Sequence, residues 1–257
     1  MTSDLSRRRL LTGGLMGLSA AALTGCDGLA GNASVNDVLA KAEGLTRRAQ
    51  RLAIGGSLAR EYGVADLSPV FRVNGTSQPD GEEYAELQEN GFAGWRLKVD
   101  GLVHRPIALS MDELRRLPAR TQITRHDCVE GWSGIAQWTG VPLGLVLRAA
   151  GLRTNARFAV FHCYDELEQT FDGSGRYYGS IDLIDAFHPQ TILAYGMNGH
   201  PLEVGHGAPL RLRVERQLGY KQTKYIRRIE LVDSFAHLGG GKGGYWEDRG
   251  YEWYAGI

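Results

Sequence analysis

Arg125-His126-Asp127-Cys128-Val129-Glu130-Gly131-Trp132-Ser133 closes a strand-like run and leads, through Trp138, into Gly140-Val141-Pro142-Leu143. The stretch sets one thiol among basic, acidic and aromatic side chains, between a predicted strand over 121–125 and a predicted helix start. A cysteine in this setting is a soft metal ligand, a nucleophile, or a small buried hydrophobe. Its neighbours on either side decide the fold class.

Downstream, Pro142 suits a first helical turn, Leu143, Val146 and Leu147 supply an apolar face, and Gly151 a C-cap. Upstream, Phe71-Arg72-Val73-Asn74-Gly75 reads as a short strand entering an Asn-Gly turn. The polar segment that follows, as far as Asn90, reads as a long loop or short helix. Residues 95–99 alternate apolar and polar up to Asp100-Gly101, a hairpin signal. Ser110-Met111-Asp112-Glu113 is a capping box, and Pro118 stops the helix it opens. Further strands are expected over 157–163, 191–195, 209–214 and 225–232, with Ser180 capping a helix over 181–186. Strands and short helices mix without strict βαβ alternation, which predicts an α+β fold with a mixed sheet or partly closed barrel. No G-x-G-x-x-G opens a helix, no Walker motif is present, and no internal repeat is evident. The glycine-rich 239–244 has no helix pattern behind it, so it is not read as a phosphate loop.

Basic and acidic residues balance at 29 each, which gives no footprint for nucleic acid or an acidic partner. The 35 glycines are about twice ordinary usage and point to many tight turns, not a long helical bundle. Ser6-Arg7-Arg8-Arg9-Leu10-Leu11 opens an apolar run to Leu23, too short for a membrane span, and resembles a twin-arginine export signal. Leu23-Thr24-Gly25-Cys26 resembles a lipobox, and Asp27 the residue that keeps such lipoproteins at the inner membrane. The expected organisation is a signal with lipobox over 1–26, a helical tether over 27–68 and the main domain over 69–257. Within this segment, Val35, Val38, Leu39, Ala42, Leu45, Ala49 and Leu52 follow helical spacing, with Lys41, Arg47, Arg48 and Arg51 on other faces, the pattern of an amphipathic helix that packs on the main domain or tethers it. That basic side is read as solvated, or as facing anionic lipid near a membrane anchor.

With Cys26 assigned to the lipobox, Cys128 and Cys163 remain, in an exported and oxidising compartment. They could pair, although a domain of this size does not need one disulfide. Neither lies in C-x-x-C or C-x-x-C-H, and zinc lacks its four ligands here. A nucleophile remains open, because His162, His188, His200, His206 or His237 could fold back onto Cys128. A second cluster follows: His206-Gly207-Ala208-Pro209-Leu210-Arg211, then Gly219-Tyr220-Lys221-Gln222-Thr223-Lys224. Cations, amide and hydroxyl donors around turns are what a bound phosphate or pyrophosphate requires. Solvated turn charges are the plainer reading. On residue chemistry alone, all three roles for Cys128 stay open.

Taken in order, C-V-E-G-W-S, W-T-G-V-P-L, H-G-A-P-L-R and G-Y-K-Q-T-K-Y-I-R-R-I-E resemble the sulfite oxidase family of molybdopterin oxidoreductases across 69–257. The resemblance implies a mixed α+β, barrel-like domain and Mo-molybdopterin as cofactor. It implies that Cys128 binds molybdenum and that Asn74, Cys163, His206, Arg211, Gln222, Thr223 and Lys224 contact the pterin. Arg125 is a candidate anion contact beside the metal and Tyr220 a candidate proton or hydrogen-bond donor. The surroundings of Cys128 look like the bacterial periplasmic reductases that repair methionine sulfoxide, whereas His206 looks like true sulfite oxidases. The implied activity is two-electron oxygen-atom transfer on a sulfoxide- or sulfite-like substrate. The expected setting is a monomer held at the periplasmic side of the inner membrane by its lipid anchor, exchanging electrons with a separate haem or quinol-linked partner and binding no nucleic acid. The competing expectations are a non-catalytic exported binding or assembly lipoprotein of the same fold, and a thiol hydrolase using Cys128.

Overall fold

The computed structural model describes residues 32–170 and 175–257; the twin-arginine and lipobox features lie outside the described residues. Helix α1 (Ala33–Ile54) and the remainder, Gly56–Ile257, form separate compact units. Asn32 starts α1 by accepting a hydrogen bond from the Ser34 N–H at 2.9 Å, and Gly55, at φ 54°, ends it. No helix among the described residues is long and apolar enough to cross a membrane.

In the larger unit the alternating stretches become two five-stranded sheets. One runs β2 (Ile107–Ser110), β1 (Arg96–Gly101), β10 (Ile226–Val232), β5 (Phe158–Glu166), β6 (Arg176–Asp182). The other runs β3 (Arg120–Asp127), β4 (Ser133–Pro142), β7 (Ile192–Met197), β8 (His200–Pro201), with β9 (Arg211–Arg213) also on β7. Among the described residues only β1 and β10 pair in parallel; they join near-opposite ends of the domain's sequence, which short turns cannot do. Helix α2 (Glu82–Glu89) precedes β1, and α3 (Met111–Arg116) follows β2 from the predicted capping box. Helix α4 (Leu143–Ala150) follows β4 and buries Leu143, Val146, Leu147 and Ala150. They meet Leu97, Val99, Phe161, Ile181 and Ile229 from the first sheet in the main core. The mixed α+β class with a curled sheet therefore stands.

Three local expectations are corrected. Residues 71–75 form no strand, because Phe71 is drawn among the rings of His126, Trp132, Trp138 and His206, with centroids 5.5–5.8 Å away. Cys128 does not lie between a strand and a helix. The chain turns back after Trp132 into the ten-residue β4, paired from Asp127–Ser133 to Arg120–Gly140, so the cysteine sits in a hairpin loop. Only after that strand does Pro142 lead into α4. Ser180 caps no helix: it is fully buried inside β6, a strand not anticipated, and its hydroxyl donates to the Gly243 carbonyl. Asp182 instead caps α5 (Leu183–Ala186), accepting from the Asp185 N–H at 2.9 Å.

The glycine-rich 239–244 folds around a carboxylate: Asp248 accepts the N–H of Gly240 at 2.8 Å and of Lys242 at 3.0 Å. This agrees with its reading as something other than a phosphate loop.

Candidate functional site

Cys128 opens the five-residue loop between β3 and β4. Its N–H donates to the Trp132 carbonyl at 2.9 Å, and Gly131, at φ 84°, donates back to the Cys128 carbonyl at 3.1 Å. The Trp132 indole N–H donates to Glu130 at 3.0 Å, closing the loop. The sulfur is half-buried and free, as is the fully buried Cys163, so the two do not pair. Burial pushes the Cys128 thiol above its ordinary range, and no cation holds it down. An activated nucleophile needs the opposite shift, whereas a bound metal deprotonates a thiol outright. This shift runs against the hydrolase reading.

Beneath the loop lies His126, fully buried, with a neutral ring because desolvation first, then Arg213 and Arg211, push its pKa well down. Arg213 Nη1 lies 3.1 Å from His126 Nδ1. A guanidinium can only donate, so Nδ1 accepts and the proton resides on Nε2, against Gly219. Arg213 is itself clamped by Glu215 at 2.9 and 2.6 Å, a pair with no solvent exposure. Arg211 and Arg213 both stack on Trp138, with guanidinium carbons 4.8 and 4.3 Å from the ring centroid. The loop thus rests on a rigid aromatic and cationic floor.

A cavity of about 180 Å³ opens beside Cys128 and is lined by Asn74, Tyr220, Gln222, Thr223 and Lys224 among others. Six residues singled out from sequence, numbered from 74 to 224, meet here because Lys224 and Tyr225 staple three loops. Lys224 Nζ donates to the carbonyls of Thr76 and, at 2.9 Å, Gly205; the Tyr225 hydroxyl reaches Thr76 O at 2.8 Å. Tyr225 holds φ 54°, which turns the chain out of the Gln222–Lys224 triplet into β10. Gly207, at φ 107°, must be glycine, since a Cβ would stand 2.9 Å from the Lys224 side chain.

Arg125, Cys163, His206 and Arg211 stand around this cavity without lining it. Arg211 is wholly buried, its Nη1 on the His206 carbonyl at 2.9 Å and its pKa lowered to about 9 by desolvation and then by Arg213. The His206 ring packs on Phe71, and burial followed by Arg211 lowers its pKa. Cys163 lines a neighbouring cavity of about 230 Å³, with Tyr177 on the boundary of both. Arg125 pairs with Asp127 at 3.0 Å on the exposed side of the hairpin. Tyr220 presents its ring to the cavity while its hydroxyl donates to the Glu252 carbonyl at 2.6 Å.

Sequence reasoning missed Asp165 and Tyr177. Asp165 is 4% exposed yet lines the cavity, and desolvation raises its pKa to about 6 against the pull of Lys224. Lys224 in turn falls to about 7, by desolvation and then Arg211. The signal was available: Asp165 lies two residues after Cys163 on β5, so the period-two alternation turns both inward. Tyr177 belongs to β6, which was not recognised; its hydroxyl donates to Tyr220 O at 2.6 Å.

Polar atoms near the cavity are left over. Asn74 Oδ1, His206 Nδ1 and Arg211 Nε are buried without a hydrogen-bond partner among the described residues. Orphans of this kind are costly unless something else satisfies them. A free thiol, neutral imidazole, amides and a buried lysine are a donor set that fits a pterin dithiolene with a phosphate and a soft metal. No cluster of three or more His, Cys, Asp or Glu able to hold a metal alone occurs among the described residues. Residues 85–237 match the family described as "Oxidoreductase molybdopterin binding domain".

The chain belongs to this family. Among its relatives, the YedZ1 protein of Azospira oryzae is 42% identical over 171 residues, which is 66% of this chain and 59% of that one. "Protein-methionine-sulfoxide reductase catalytic subunit MsrP" of Xanthomonas campestris is 37% identical over 168 residues, 62% of this chain and 51% of that one. The chain therefore spans only half to three-fifths of these relatives' lengths. The sulfane dehydrogenase SoxCD structure from Paracoccus pantotrophus overlaps 55% of this chain and 39% of its own, at 23% identity and a TM-score of 0.48. The chain thus carries the molybdopterin-binding oxidoreductase domain, as its motifs imply.

Proposed function

We propose that this protein is a periplasmic molybdenum enzyme that reduces sulfoxides, with Cys128 as the protein ligand to molybdenum. The observation that carries the reading is the convergence of a free thiol and the unpartnered buried polar atoms of Asn74, Asp165, Gln222 and Thr223 on one cavity, in a chain of this family. Mo-molybdopterin, when bound, supplies two-electron oxygen-atom transfer. The protein's own residues bind and orient. Asn74, Gln222 and Thr223 would hold the pterin edge, and His206 and Arg211 would satisfy its remaining polar groups from below. Lys224, whose pKa burial lowers to about 7, would be held as a full cation beside the phosphate. Cys163 stands as a further pterin contact from the adjoining cavity.

The net reaction, sulfoxide plus two electrons and two protons giving thioether and water, consumes protons inside a buried site. Asp165, which lines the cavity and titrates near pH 6, is placed to hold one. Rings of Tyr220, Trp246 and Tyr251 line the cavity as well, and aromatic edges suit a thioether sulfur. Arg125 stays a candidate for anion steering at the hairpin. Sulfoxide is favoured over sulfite because the sequence after Cys128 follows the reductase style, and the MsrP relative is named for methionine sulfoxide. Electrons would come from a separate haem or quinol-linked partner, and the chain would work as a monomer carrying a lipid on Cys26.

The test is metal analysis and turnover of protein purified after export. Near-stoichiometric molybdenum with pterin, reduction of methionine sulfoxide by a dye donor, and loss of molybdenum in Cys128→Ser are expected. Protein without molybdenum would favour the non-catalytic lipoprotein, and sulfite oxidation without sulfoxide reduction would reverse the direction.

A further inference from the structure

Helix α1 lies outside the matched domain. Six of its apolar residues recur every seven positions: Val35, Ala42 and Ala49 in one row, Val38, Leu45 and Leu52 in the next. Val38, Leu45 and Leu52 are 63%, 64% and 86% exposed, large aliphatic side chains spaced seven apart along one helix face. Water does not favour such a row, so something covers it.

The flanks of the row say what. Positions 34, 41 and 48 on one side and 39, 46 and 53 on the other include Lys41 and Arg48 but no carboxylate. Lys41 pairs along its own helix with Asp37 at 2.6 Å, and two copies packed through this face would set Arg48 beside residues that offer it no opposite charge, while a core with alanine at two of its six positions is thin. An anionic lipid surface answers both features, since the aliphatic row enters the headgroup boundary while the cations meet phosphates. The C-terminal half reinforces this, with Arg47, Arg48 and Arg51 around Leu45 and Leu52 and no acid after Glu43. The helix is not apolar enough to cross a membrane, which fits a helix lying on one.

Chain length agrees. Six residues separate Cys26 from Ala33. At ~3.5 Å per residue, an acyl chain on Cys26 would keep the start of α1 within about 25 Å of the bilayer.

We propose that α1 is an interfacial helix that binds anionic lipid through the Val38–Leu45–Leu52 row and the flanking Lys41 and Arg48. It would give a chain acylated on Cys26 a second membrane contact beside its lipid anchor. The inference does not depend on the reaction catalysed. The probe is the mature chain from Asp27 onward, without signal or acyl group, sedimented with vesicles of phosphatidylcholine alone or with 30% phosphatidylglycerol, about the order of anionic content that matters for surface attraction. Binding to the anionic vesicles at least about tenfold tighter than to neutral ones is expected, weakening with salt. Leu45→Glu/Leu52→Glu should abolish it, and Lys41→Gln/Arg48→Gln should remove the preference for anionic lipid, with the melting of the main domain unchanged in both. No binding by the wild-type chain, or equal binding by Leu45→Glu/Leu52→Glu, overturns the proposal. So does a wild-type dimer in light scattering that the leucine variant converts to monomer, since the row then pairs two copies.

Discussion

Gly219 is where the floor of the site can be tested most directly. A Cβ there would lie 2.5 Å from both Cε1 and Nε2 of His126 and 3.2 Å from the Asp127 carbonyl. The ring has nowhere to go, being fully buried, hydrogen-bonded to Arg213 at 3.1 Å and packed 5.4–5.7 Å from Trp132 and Phe71. Gly219 is not among the positive-φ residues, so alanine meets no backbone penalty and the effect is purely steric. Overpacking a rigid interior costs about 1–3 kcal/mol, and a ring that must retreat by roughly 1 Å belongs in the upper half of that range. At about 2–4 °C per kcal/mol for a domain of this size, Gly219→Ala should lower Tm by roughly 5–10 °C. The decisive comparison is the cycle with His126→Ala. Removing the ring opens the space, so Gly219→Ala should cost almost nothing in that background, a coupling of about 2 kcal/mol. Denaturant unfolding of the four proteins measures it. Equal costs of Gly219→Ala in both backgrounds would refute the account of why glycine stands here. Since Tyr220 and Gln222 follow directly, molybdenum content after export should fall in the single variant as well.

Two further outcomes follow from buried charge. Arg213→Met leaves the Glu215 carboxylate without its partner in a site with no exposure, which should cost about 3–5 kcal/mol, whereas Arg213→Met/Glu215→Met should recover much of that in the same unfolding measurement. Asp165 sets a pH dependence. Its folded-state pKa is raised from 3.8 to about 6, so between those values the folded chain keeps a proton that the unfolded chain has released. Stability therefore falls as pH rises through this window, and the penalty is complete above pH 6. In protein without cofactor, Asp165→Asn should match wild type near pH 4 and melt higher at pH 7; a lower melting point at pH 7 would mean that attraction to Lys224 outweighs burial.

Local chemistry made much of this molecule legible in its residues. The Ser110 capping box, the alternation over 95–99 and 157–163, and the Pro142 to Gly151 helix depend on neighbours a few positions apart, and they formed as read. The ordered motifs around Cys128, His206 and Gln222 marked the family, because their side chains have few other reasons to occur together. What the residues could not decide depends on contacts between distant segments. Phe71 left its expected strand because four rings brought in by the second sheet and the 204–206 turn offered better burial than a strand edge would. The strand over 133–142 was missed because Gly134 and Gly140 dilute its alternation; both are required, Gly140 by the Leu193 carbonyl 2.2 Å from a would-be Cβ and Gly134 by the Phe71 ring. Asp165 entered the cavity only through the inward face of β5, and its carboxyl is perturbed only once folding desolvates it, against the pull of Lys224. Residue types determined which chemistry was available; packing decided where the thiol, the orphaned donors and the buried acid would meet, because desolvation and close approach are properties of the folded chain alone.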